Sequence, residues 1–199
     1  MLQTAALMQY LLAIEIALFP KRFARSGRHA DEIDLASLAG AQGDVRVGWE
    51  PSKEPVPMTC LVLETLAAEI GGSAFAIDVR KRAAVETAIA EVEKAFGGID
   101  ILCANAGVST MQHALELTDE EWDFNFDVNT RGVFLTNQIV ARRFVAQGSG
   151  TIVNTASLAA KVGAPLLAHY SASKFAVLGW TQGLARELAP KGIRVNAVC

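Results

Sequence analysis

From about residue 58 onward, short apolar runs alternate with longer segments whose apolar residues recur at helical spacing. No other feature constrains the fold as much. Strands separated by helices pair in parallel, through right-handed crossovers. A helix is expected at "TCLVLETLAAEIGG", closed by Gly71 and Gly72, then a short strand at "SAFAID" ending at Asp78. "RKRAAVETAIAEVEKAFGG" reads as a helix ended by Gly97 and Gly98, and "IDILCANAG" as a buried strand running into a tight turn. "TDEEWDFNFDVNTRGVFLTNQIVARRFVAQG" predicts one long helix, with Thr118 as N-cap and Glu121 completing a capping box. "GTIVNTAS" is the next strand, "HYSASKFAVLGWTQGLARELAPKG" the next helix and "IRVNAVC" a last strand. The expected class is α/β, a parallel sheet with helices, and ligands of such sheets sit beyond the carboxyl ends of the strands.

The chain divides into an atypical N-terminal region, residues 1–57, and a patterned domain, residues 58–199. Residues 20–57 show no periodicity; "DVRVGWE" is a possible strand, and the three prolines of "EPSKEPVP" exclude regular helix. The first 19 residues are apolar, but "PKRFAR" follows rather than precedes them, which is the wrong order for a secretory signal. Glu15 and two glutamines within them favour an amphipathic helix over a membrane span. With 51% apolar and 20% charged residues and a net charge of −3, nucleic acid and anionic membrane are not expected as partners. The cysteines (Cys60, Cys103, Cys199) and histidines (His29, His113, His169) are scattered, so no metal site is expected. Free thiols fit a reducing cytoplasm.

Chemistry is concentrated at the predicted strand ends and the last helix. Tyr170 and Lys174 are four residues apart in "HYSASKF" and share a helix face. They are either a chance surface pair or a phenol made easier to deprotonate by a fixed cation. A phenol of that kind can give a proton to a carbonyl oxygen while hydride reaches its carbon. Ser157 stands 13 residues before Tyr170, at a strand end. Its hydroxyl either bonds the same substrate oxygen or caps a turn. Asn129 and Gly132 are poor helix-interior residues and suggest a kink or a bound water. The small residues of "ANAG" at 104–107 allow close backbone approach to a ligand, and Asn105 can tie neighbouring strands together.

Taken together, "CANAG", "DVNTRGVF", "TIVNTASLAA" and "YSASKFAVLGWTQGLARELAPKGIRVNAV" resemble the short-chain dehydrogenase/reductase family over about residues 66–199. The resemblance implies a Rossmann-like, doubly wound sheet in three layers. It also implies NAD or NADP as cofactor, a small alcohol or carbonyl substrate, and interconversion of a secondary alcohol with a ketone. It assigns Tyr170 as the catalytic acid/base and Lys174 as the partner that eases its ionisation and holds the nicotinamide ribose. Ser157 is assigned the substrate oxygen, and Asn129 a water in the proton relay. Asp78 and Val79 are placed at the adenine; Asn105, Ala106 and Gly107, with Tyr170 and Lys174, at the cofactor pocket. The helices beginning near Thr118 and His169 resemble subunit-contact helices, so a homo-oligomer is expected.

Two parts of the family pattern are not found. No glycine-rich turn of the form T-G-x-x-x-G-x-G is present; in the nearest candidate, "SGRHADEID", Gly27 can stand for the first glycine, but Asp31 and Ile33 occupy the other positions. An aspartate there repels phosphate and an isoleucine blocks backbone approach. The segment that ordinarily follows "RVNAVC" is missing as well. The alternative reading is therefore a non-catalytic, truncated Rossmann-like fragment that acts through subunit association.

Overall fold

The computed structural model describes residues 72–199 apart from Ala76, together with Ala67. The amphipathic helix expected in the first 19 residues, the possible strand "DVRVGWE" and the Gly27 region lie outside the described residues. Three strands, β1 (Ile101–Ala104), β2 (Gly150–Thr155) and β3 (Ile193–Val198), form a parallel sheet in the order β1-β2-β3. Leu102 is in register with Ile152, and Ile152 with Val195. Helix α1 (Arg82–Phe96) precedes β1. Helices α2 (Asp119–Phe126) and α3 (Gly132–Gln147) lie between β1 and β2, and α4 (Ala168–Leu188) between β2 and β3. Each connection is a helical crossover, as parallel pairing requires.

The sheet buries alternate residues. Leu102, Ala104, Ile152, Asn154, Ile193 and Val195 are enclosed, whereas Arg194 and Asn196 are exposed and Ile101, Cys103 and Val153 partly open. Among the described residues the helices therefore make one layer over one sheet face; the second helical layer of a three-layer arrangement is not among them. Val85, Ile89 and Val92 of α1 meet Ile139, Val140 and Phe144 of α3 over Leu102, Ile152 and Ile193. Enclosing a side chain of this size contributes about 1.5–3 kcal/mol.

The helix boundaries follow local chemistry. Gly97 ends α1 in the left-handed conformation (φ 77°), and its N–H bonds Glu93 O. The capping box opens α2: Thr118 Oγ1 accepts from Glu121 N at 3.2 Å, and Glu121 Oε2 accepts from Thr118 N at 3.3 Å. The single long helix expected from Thr118 is interrupted. A π turn, Asp127–Arg131, separates α2 from α3, and Gly132 N–H bonds Asp127 O across five residues. The break falls on Asn129, where the sequence suggested a kink. Gly132 sits so close to Val79 that a Cβ would lie 2.8 Å from Val79 Cγ2.

One expected strand is not seen among the described residues. The described residues of "SAFAID" carry no regular element, and among the described residues β1 pairs with β2 alone. An extended segment becomes a strand only when its N–H and C=O groups enter a ladder. Phe75 and Ile77 still pack against the core. Of the helix expected before it, Ala67 is described as helical, and Gly72 N–H bonds Ala67 O at 2.7 Å.

Candidate active site

The chain leaves β1 into a loop, residues 105–118, that passes beside α4 and the π turn. Asn129 fixes this loop. Its Oδ1 accepts from Val108 N at 2.8 Å, and its Nδ2 donates to Val108 O at 2.9 Å. The second Nδ2 hydrogen goes to Ser173 Oγ at 2.9 Å, and Ser173 Oγ donates to Tyr170 O at 2.7 Å. Thr130 Oγ1 donates to Ser173 O at 3.2 Å. Both amide hydrogens of Asn129 are thus used within the protein, and its side chain keeps one oxygen lone pair. What that side chain does here is tie loop, π turn and helix together; any water it holds must donate to that lone pair.

Lys174 stands one helical turn after Tyr170, with its side chain almost wholly enclosed (3% exposed). Its ammonium donates to Thr155 O, at the end of β2, at 2.8 Å. Burial lowers its pKa from the usual value near 10.5 to about 8. Nζ also lies 5.8 Å from the centre of the Tyr170 ring, so the pair on the shared face does meet. A Cβ on Gly107 would fall 3.2 Å from Asn129 Oδ1 and 3.3 Å from Lys174 Nζ. Any side chain at this position would press on both groups.

The remaining expected residues are distributed around this centre. Ser157 follows β2 by two residues and is the N-cap of a 3-10 turn, Leu158–Ala160. Its Oγ accepts from Ala159 N at 3.1 Å, which engages a lone pair and not the hydroxyl hydrogen. The turn packs against α4, with Ala156 and Ala160 in one apolar cluster with Val177. Ala106 packs against Val79, Val108 and Val128, which brings residues 78 and 79 beside the loop after β1. The Val79 side chain is itself enclosed (4% exposed). Asp78 is gripped by Arg80, with Nε to Oδ1 and Nη2 to Oδ2 both at 2.9 Å. Those hydrogen bonds hold its carboxyl below the usual range against the opposing effect of burial, helped by the Arg80 N–H and by the charges of Arg80 and Lys81. Asn105 lies between β1 and Ala106, partly buried.

Several residues of the site were not singled out by the sequence. Ser173 and Thr155 complete the Asn129 and Lys174 contacts. His169 is fully enclosed, with Nε2 2.6 Å from Thr110 Oγ1, which also accepts from Asn125 Nδ2 at 2.9 Å. Burial pushes the His169 imidazole below its ordinary value, opposed by the Glu121 carboxylate. The available signal was spacing: His169 and Ser173 are four residues apart, as are Asn125 and Asn129. Among the described residues no group of three or more His, Cys, Asp or Glu is placed to hold a metal ion. Nor is any helix among them long and apolar enough to cross a membrane.

The tyrosine, the buried lysine and the clamped asparagine thus lie at the carboxyl end of a parallel α/β sheet, where ligands of such sheets bind. The short chain dehydrogenase family model matches residues 50–199. The chain belongs to that family of oxidoreductases, and its fold is Rossmann-like. It is 40% identical over 139 residues to a NAD-dependent glycerol dehydrogenase of Listeria innocua, covering 68% of this chain and 55% of that one. It is 38% identical over 163 residues to the 3-oxoacyl-[acyl-carrier-protein] reductase FabG of Staphylococcus epidermidis, covering 81% of this chain and 65% of that one. NAD+-bound xylitol dehydrogenase superposes with a TM-score of 0.67 at 34% identity, over 70% of this chain and 55% of that one. The chain thus spans about half to two thirds of the length of these relatives.

Proposed function

We propose that this protein is an NAD(P)-dependent oxidoreductase that interconverts a small secondary alcohol and a ketone, with Tyr170 as the acid/base. The observation that carries the reading is the enclosed Lys174 ammonium, 5.8 Å from the Tyr170 ring centre and against Gly107. Its bond to Thr155 O accounts for one of three N–H groups, which leaves donors for ribose hydroxyls. The glycine at position 107 keeps open the space that a side chain would fill, so these residues fit a nicotinamide nucleotide. Such a cofactor supplies the hydride.

The chain's own residues handle the proton. Tyr170 gives its phenolic hydrogen to the carbonyl oxygen and takes it back in the oxidative direction. The Lys174 cation stabilises negative charge as it develops on the phenol oxygen. Ser157, with its hydroxyl hydrogen not engaged by the Ala159 contact, orients the substrate oxygen. Asn129 holds the loop and the helix in the arrangement that the other three require. Relatives named for glycerol and D-threitol favour a polyol substrate; a 3-oxoacyl thioester is the other class the relatives suggest. The cytoplasm is the proposed location.

A second reading, a non-catalytic chain that acts by subunit association, draws on the missing glycine-rich turn. It also draws on exposed Trp122, stacked on Phe126, and exposed Phe175, on the mutually packed α2 and α4. Titration with NADH and NADPH, followed by nucleotide fluorescence, separates the two. Saturable binding together with oxidation of glycerol, threitol or xylitol supports the dehydrogenase. No binding at millimolar nucleotide overturns it.

A further inference from the structure

The first turn of α4 carries Tyr170, yet its N-cap, Leu167, makes no side-chain capping bond. Leu166, just before it, has φ 66°, a left-handed conformation unusual for leucine. An uncapped first turn frays unless tertiary contacts hold it. Here the contacts come from one loop, in three steps. Gln112 N–H bonds Leu166 O at 2.9 Å. Thr110 Oγ1 meets His169 Nε2 at 2.6 Å. Val108, through Asn129, reaches Ser173.

Two of these steps form matched rungs. One runs Asn125–Thr110–His169 and the other Asn129–Val108–Ser173. The asparagines are four residues apart, the loop residues two apart, and the α4 residues four apart. Each rung ends on the residue immediately before one of the reactive pair: His169 before Tyr170, Ser173 before Lys174. Two anchors one turn apart fix both the position of a helix and its rotation about its axis.

We propose that His169 is a positioning residue for Tyr170, setting the direction of the phenol through the Asn125–Thr110 rung, while the Ser173 rung sets Lys174. This deepens the dehydrogenase reading and rests on it. The contact itself admits either direction, and the rung's polarity is assigned by counting buried hydrogens. Thr110 Oγ1 accepts from Asn125 Nδ2, and its own hydrogen has the imidazole Nε2 as acceptor. His169 is then neutral with its hydrogen on Nδ1, an atom without a partner inside the protein. The opposite tautomer would strand the Thr110 hydrogen as well.

The test uses the full chain and four variants. Nitrogen NMR of the histidine rings is expected to show His169 protonated on Nδ1, and Thr110→Val, nearly isosteric, to abolish that preference. A wild-type ring protonated on Nε2 overturns the proposal. With 3-fluorotyrosine in both tyrosines, and Tyr170→Phe to assign the lines, the Tyr170 fluorine signal is expected to move or broaden in His169→Leu and Thr110→Val. In His169→Gln, whose amide reaches the Nε2 position, it is expected to return to the wild-type position. A signal unmoved in Thr110→Val overturns the proposal. Neither spectrum needs turnover, so a chain that oxidises no alcohol defeats the dehydrogenase reading and leaves this one still open to test. Where turnover is present, His169→Leu is expected to lower kcat about 10–100-fold with the cofactor KM unchanged. His169→Gln recovers most of the loss. An unchanged kcat in His169→Leu overturns the proposal while leaving the dehydrogenase intact.

Discussion

Two buried polar networks lie on the helical side of the sheet, and they differ in completeness. The first joins β2, α3 and α4. Asn137 and Asn154, both fully enclosed, exchange two Nδ2–Oδ1 bonds at 2.9 Å. Asn154 also donates to Thr181 Oγ1, Trp180 Nε1 donates to Asn137 Oδ1, and Thr181 Oγ1 donates to Val177 O. None of its side-chain atoms is left without a partner. The second is the pair of rungs at the candidate site. There, Asn125 Oδ1 and His169 Nδ1 are buried without a partner, as is Ser171 Oγ on the same helix, and Lys174 carries a charge out of water. An unsatisfied buried polar group costs about 1–3 kcal/mol. One network is therefore finished and structural. The other keeps unspent hydrogen-bonding capacity and a desolvated cation where the reacting groups would meet, as sites of function tend to.

The contrast is broken if changes in the two networks have the same consequences. Tyr170→Phe should give the largest functional effect, about 10³-fold in kcat, the range of general acid–base catalysis. Nucleotide binding should change less than twofold, read by fluorescence titration. Asn154→Ala should do the reverse. It strands Asn137 Nδ2 and opens a void, so stability should fall by about 3 kcal/mol in urea denaturation. The kcat of the folded fraction should stay within about threefold of wild type. A large loss of turnover in Asn154→Ala without loss of stability would show that the structural network is also part of the site.

The sequence disclosed elements better than contacts. The capping box, the glycine stop after α1 and all three strands follow from local chemistry, which short-range residue choices reveal. The π turn was legible as a disturbance, since Asn129 and Gly132 sit badly in a helix. Its form was not; in the structure Gly132 lies against Val79, 53 residues away, a contact that no local pattern announces. The strand expected at "SAFAID", not seen among the described residues, shows a related gap: pattern can announce an extended segment but not the neighbour that must pair with it. Within the site, Tyr170 and Lys174 were visible through helical spacing. His169, Ser173 and Thr110 were not, because an isolated histidine or serine acquires meaning only from a loop brought beside it. Ser157 shows the middle case. Both of its readings were open, and the capping bond to Ala159 realises one while the free hydroxyl hydrogen leaves room for the other.

A smaller effect sharpens the contrast at one atom. Gly107→Ala places a methyl group 3.2 Å from Asn129 Oδ1 and 3.3 Å from Lys174 Nζ. Asn129 is held from both sides by Val108 and cannot retreat, so the lysine must. Nucleotide affinity should fall about tenfold and stability by about 1 kcal/mol, as is usual for overpacking. An affinity equal to wild type would mean that Lys174 can shift without cost.

The last expected effect is confined to a narrow pH interval: the dependence of stability on pH, whose sign follows from burial of Lys174. Its pKa is about 8 in the folded protein, against an ordinary value of 10.5. Between those two values the unfolded chain binds more protons than the folded one, so stability rises with pH in that interval. Below pH 8 both states hold the proton, and the desolvation penalty is constant. Lys174→Met removes the titrating group. The wild type should therefore gain stability relative to Lys174→Met as pH is raised from about 8 to about 10.5, with no relative change from pH 6 to 7.5. The amount is limited to about 1–3 kcal/mol by the size of the shift. Paired urea titrations of the two proteins measure it directly. Parallel curves across the whole range would mean that the ammonium is better solvated than its enclosure implies, and that the second network carries less unrelieved charge than the comparison with the first assigns to it.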